Sequence, residues 1–117
     1  MQYKEDKMKA LIIKKPWIDY VLNGEKIWEI RGSNTHIRGE IELIQSGSGL
    51  VVGKCKLINC IKLSLDDYQN NKQNHRIEDT SILPYRNTYA WVICDAERYA
   101  NPRKYKHPNG AIIWVKI

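Results

Sequence analysis

Lys26, Glu29 and Arg31 crowd into six residues, and side chains of these types can grip an anion, polarise a carbonyl or move a proton. Lysine and arginine hold phosphate or carbonyl oxygens, and a carboxylate between them accepts from an amino group or serves as a general base. The alternative is an exposed ion-pair cluster, in which each pair contributes about 0–1 kcal/mol. Trp17 and Trp28 flank the cluster. Either ring can stack on a planar ligand or simply fill the core. Trp17, beside Pro16, is the better placed of the two. Ser46, within Ser46-Gly47-Ser48-Gly49, is a turn residue by composition, but its hydroxyl and the neighbouring amides could also meet a phosphate or sugar. Arg103 and Lys104, interleaved with Tyr99, Tyr105 and Lys106, form a segment that could track a polyanion or remain a solvated loop.

The cluster needs elements to hold it. Ile18, Val21 and Leu22 fall at helical spacing after Pro16, and Asn23-Gly24 stops the helix, so a short helix is expected over 16–23. A strand over 27–31 puts Glu29 and Arg31 on the same face, while Lys26 sits in the turn before it. A strand is expected before the helix, over 9–13. Another over 40–45 should turn Ile41 and Leu43 inward and Glu40 and Glu42 outward. The longest strand signal runs from Leu50 to Leu63. Cys55, Leu57, Ile61 and Leu63 share one parity there, Lys54, Lys56 and Lys62 the other, and Gly53 marks a bulge or close approach. Ser64 is a helix cap for 65–74. The stretch 75–88 reads as irregular and exposed, and strands return at 89–94 and 111–117. The sum is an α+β chain, a small β-barrel of five to six strands with two or more short helices.

With 117 residues, 43% hydrophobic and 27% charged, the chain is the size of one domain, expected over 8–117 behind a polar tail at 1–7. No apolar run approaches the ~20 residues of a membrane span, and residues 1–7 lack the apolar core of a signal peptide. The expected location is the cytoplasm. Three cysteines argue against a disulfide framework. Cys55 and Cys60, five apart on one strand, should point to opposite faces, and the three histidines are scattered, so neither a metal nor a cofactor is expected. The net charge is +6, and residues 101–117 carry four basic side chains and no acid. That imbalance suits a polyanionic partner.

The run Gly24-x-Lys26-x-x-Glu29-x-Arg31 after a short helix resembles the recurrent pattern of the ASCH domain family, in the PUA-like superfamily. Leu11–Trp17, Ile37–Ile41, Val52–Cys60 and Ile113–Lys116 resemble, in order, further segments of the ASCH domain of a transcriptional coactivator. The resemblance implies a PUA-like barrel with a cleft between the first helix and the sheet, suited to a nucleotide or modified base. On that reading Trp17, Lys26, Glu29, Arg31, Ser46, Arg103 and Lys104 contact RNA, a nucleotide or a modified nucleoside. A branch of the superfamily hydrolyses N4-acetylcytidine with a lysine, a threonine and a glutamate. Its lysine falls on Lys26, but Glu29 replaces its threonine, and Asp66, Asp67 and Glu78 are unconvincing sources of its other carboxylate. Some ASCH proteins are associated with ribonuclease activity. The alternative function is therefore a small hydrolase of N4-acetylcytidine-type nucleosides or a ribonuclease, with Lys26 and Glu29 catalytic. A coactivator-like module that contacts protein is the third reading.

Overall fold

Leu11 and Ile13 bury one face of the first strand and Ala10 and Ile12 the other, so this strand must lie inside a sheet covered on both sides. In the computed structural model, which describes residues 8–117, it is β1 (Lys9–Ile13). The tail expected over 1–7 lies outside the described residues. The chain continues through α1 (Trp17–Leu22), β2 (Trp28–Arg31), β3 (Gly39–Gln45) and β4 (Leu50–Leu63). Two short helices, α2 (Leu65–Asn70) and α3 (Lys72–His75), lead to β5 (Thr88–Lys104) and β6 (Trp114–Lys116). The strands form a single six-stranded mixed sheet in the order β2-β5-β4-β3-β1-β6, with only β1 and β3 parallel.

The sheet curls on itself. Trp91 of β5 stacks on Trp114 of β6 with ring centroids 5.7 Å apart. Those strands are four spacings apart in the sheet order, which would be roughly 19 Å if the sheet were flat. Ile18, Val21 and Leu22 of α1 plug the enclosed core, which also holds Leu11, Ile41, Leu43, Leu57 and Ile93. Among the described residues no ladder joins β2 to β1 or β6, so backbone hydrogen bonding does not close the barrel there. Side chains do that instead: Arg31 on β2 donates from Nη2 to the Ile12 carbonyl on β1 at 2.7 Å.

Several expectations need correcting. The register of β4 slips between Leu57 and Asn59, leaving Ile58 as an extra residue. The bulge reverses parity, so Cys60 packs against the same core as Cys55 and Leu57, while Ile61 is exposed. The two cysteines do not point to opposite faces. Glu42, expected outward, is buried, because β5 does not stop at Cys94 but runs on to Lys104 and lays Tyr99 and Arg103 over it. The helix expected over 65–74 is two helices, broken at Asn71. Its cap is as expected: Ser64 and Asp67 form a reciprocal capping box. Gly53 marks both a register shift and a close approach, since a Cβ there would strike the Glu97 carbonyl and Leu22.

Candidate functional site

Gly24, at φ +78°, ends α1 in the conformation glycine adopts without strain. The chain then doubles back, with the amides of Glu25 and Lys26 both donating to the Tyr20 carbonyl. This fold-back drives Lys26 inward, where it is only 2% exposed. Its Nζ lies 5.0 Å from the centre of the Trp17 ring, donates to the His75 carbonyl at 2.5 Å, and stands 3.9 Å from Glu29 Oε1. Burial pushes the Lys26 ammonium down to about 8; Glu29 opposes that shift and Arg31 reinforces it.

Glu29 and Arg31 share a face of β2, as strand parity requires. Glu29 Oε2 accepts from Arg31 Nε at 3.0 Å and from Nη2 at 2.7 Å. The guanidinium also lies over the Trp91 ring, 5.6 Å from its centre. No described side chain donates a hydrogen bond to Glu29 Oε1. Among the described residues no fully buried side-chain nitrogen or oxygen lacks a partner, so Oε1 is open to the cleft.

That cleft has a volume of about 560 Å³. Trp17, Lys26, Glu29, Arg31 and Ser46 all line it. Arg103 and Lys104 do not. Arg103 clamps Glu42 on the opposite face of the sheet, and Lys104 ends β5 opposite Leu50. Trp28 turns away and packs beside Ile30, Leu63 and Tyr68 under α2.

The far wall is the stretch expected to be irregular and exposed. It is irregular, yet Ile77, Asp79, Ile82, Pro84 and Tyr85 face the cleft. His75, fully buried, anchors it. Its Nδ1 accepts from the Ile77 amide at 3.0 Å, which requires the proton on Nε2, and Nε2 donates to the Tyr68 carbonyl at 2.7 Å. The ring stacks on Tyr68 at 4.6 Å, and burial holds its pKa below the ordinary value. Gly32 permits the packing of Tyr85, since a Cβ there would lie 2.8 Å from its ring. Asp79 is a cleft carboxylate that sequence reasoning missed. Ser81 donates to it from amide and hydroxyl, which holds its pKa low. The nearest signal was Glu78, one residue away, which instead pairs with Lys72. No group of three or more His, Cys, Asp or Glu among the described residues is placed to hold a metal ion.

A curled mixed sheet plugged by one short helix, with a polar-floored cleft beside that helix, is the architecture of a PUA-like module. The chain belongs to the ASCH domain family, whose pattern matches residues 11–108. The fold is similar to the crystal structure of ASCH from Zymomonas mobilis, with a TM-score of 0.73 and 10% identity over 97% of this chain and 89% of that one. A serine-to-alanine variant of the same protein gives a TM-score of 0.74 at 10% identity, over 98% of this chain and 91% of that one. Identity this low speaks for the fold alone. A search of the curated proteins finds no match. No helix among the described residues is long and apolar enough to cross a membrane.

Proposed function

We propose that the cleft binds an unpaired base of RNA, or the equivalent nucleotide or modified nucleoside. The observation that carries this reading is the pairing of aromatic walls with an incompletely satisfied polar floor. Trp17 and Tyr85 line it with aromatic rings, and a base stacked on an aromatic ring gains ~1–3 kcal/mol. Beneath them, Glu29 Oε1 is free to accept from an exocyclic amino group, and Lys26 is placed to donate to a carbonyl or phosphate oxygen. The volume is in the range of small-ligand sites. The chain's net charge of +6 favours a polyanion.

A second reading, hydrolysis of an acylated nucleoside or of RNA, draws on Lys26. An amine titrating near 8 beside a carboxylate can exchange protons at neutral pH. Glu29 and Asp79 line the same cleft and supply the carboxylates such chemistry needs.

The two are separated by incubating the purified chain with modified nucleosides and short single-stranded RNA, then identifying retained ligands and new products by mass spectrometry. Retention without product is the expected result. Release of acetate from N4-acetylcytidine, or cleaved RNA, favours the hydrolase. No retention and no product would sink both.

A further inference from the structure

A second concavity adjoins the first. It has a volume of about 420 Å³ and shares Ile12, Ser46 and Ile112 with the main cleft. Beyond that shared edge it is lined by Gly47, Gly49, Tyr105, His107 and Ala111. Building on the reading of the main cleft as a nucleotide site, we propose that the ligand is a single nucleic-acid strand engaged by at least two successive nucleotides. One base occupies the main cleft, the sugar-phosphate crosses Ser46, and the neighbouring nucleotide occupies the second compartment.

The floor of the crossing is bare backbone. Gly47 and Gly49 have φ of +79° and +71°, and a Cβ at either would meet nothing within 4 Å. A strand can therefore lie directly on the turn. Ser48 holds the turn in shape, with its hydroxyl donating to the Gln45 carbonyl and accepting from the Leu50 amide.

The far side is a braced aromatic pair. The Ala111 carbonyl accepts from His107 Nε2 at 2.8 Å, so Nδ1 is the acceptor for the Tyr105 hydroxyl at 2.7 Å. The rings meet edge to face at 5.7 Å, and His107 is exposed. A pre-set ring needs little ordering when a base stacks on it.

Charge points the same way. Lys54 and Lys56, on the long strand, pair with Glu40, Glu97 and Asp95. Lys14 at the main cleft and Lys104 and Lys106 on either side of Tyr105 form no ion pair among the described residues, and no acid lines the second compartment. Ile112 is 79% exposed and belongs to both compartments, which suits the apolar face of an unstacked base.

The test is the affinity of the full chain for a mononucleotide, the corresponding dinucleotide and a tetranucleotide of single-stranded RNA. The same series is run on His107→Ala combined with Lys106→Gln, both exposed positions whose replacement spares the core. The dinucleotide is expected to bind about tenfold more tightly than the mononucleotide, the gain a second stacked base supplies. Its salt dependence should be steeper by about 0.7 in log K per added phosphate contact. The double variant should lose that gain and keep mononucleotide affinity within about twofold, as surface substitutions usually do. Equal binding of mono- and dinucleotide overturns the proposal and leaves the single-base cleft standing. So does a gain that survives in the double variant, because the second nucleotide then lies elsewhere. If no length binds, the reading of the cleft falls with it.

Discussion

Two carboxylate–arginine clusters sit on opposite faces of this sheet, and only one is finished. Glu42 is buried with both oxygens occupied: Oε1 and one bond at Oε2 belong to Arg103, and Tyr99 Oη donates to Oε2 at 2.6 Å. It lines neither the main cleft nor the concavity beside it. The Arg103 bonds hold the Glu42 carboxyl below its ordinary pKa, as a structural tie between β3 and the end of β5 should. Glu29 is as deeply buried, yet Arg31 takes only Oε2, and Oε1 faces Lys26 across 3.9 Å at the floor of a cleft. A saturated cluster stabilises a fold. An unsaturated one, held open by packing, is ready for a partner.

The largest difference between them should be in stability. Glu29→Ala leaves Lys26 and much of Arg31 as buried, unpaired cations and frees the Arg31 clasp between the sheet ends. A loss of about 3 kcal/mol is expected in denaturant titrations. Glu42→Ala should cost about 1–2 kcal/mol, because Arg103 is half exposed and returns to water. Equal losses would erase the distinction. The next effect is on binding. The Lys26 cation is present below about pH 8 and lost above it, so affinity for an anionic ligand should fall as pH rises from 7 to 9. The expected drop is up to about tenfold, and a flat profile would argue that Lys26 does not reach the ligand.

His75 sharpens the same contrast from below neutrality. Its folded pKa lies under the ordinary value, so the unfolded chain takes up a proton first as pH falls. The stability it contributes is present above pH 6.5 and should be lost progressively as pH drops below it. Protonation at Nδ1 would also evict the Ile77 amide and release the cleft wall. Comparing denaturation midpoints at pH 7 and pH 5 for wild type and His75→Gln checks this, with a shallower pH dependence expected in the variant. The smallest effect belongs to the finished cluster. Glu42→Gln should leave ligand affinity within about twofold, and a larger change would mean the back face of the sheet also contacts the ligand.

Local chemistry made much of this legible in the sequence. Helical spacing at Ile18, Val21 and Leu22 with a stop at Gly24 placed α1, and parity put Glu29 beside Arg31. The Ser64 cap and the Gly53 close approach were equally readable. Long-range packing was not. The bulge at Ile58, which moves Cys60 into the core and Ile61 out of it, leaves no residue-level mark. Nor does the extension of β5, which covers Glu42 and removes Arg103 from the cleft. The wall formed by Ile77, Asp79 and Tyr85 has no periodicity, because its residues are held by local side-chain bonds with His75, Ser81 and Thr88 rather than by a ladder. Lys26 shows the limit most clearly: the turn fixed its position in the chain, but only the tertiary fold buries it beneath Trp17.

The central claim is that the open Lys26–Glu29–Arg31 cluster is where the ligand binds. Calorimetric titration of short single-stranded RNA into wild type and Lys26→Met at pH 7 tests it most directly, since methionine keeps the length of the buried stem and removes the donor. The expected result is a folded variant whose affinity is weaker by roughly ten- to a hundredfold, the loss of one charge-assisted hydrogen bond. A folded variant that binds RNA as tightly as wild type would contradict it.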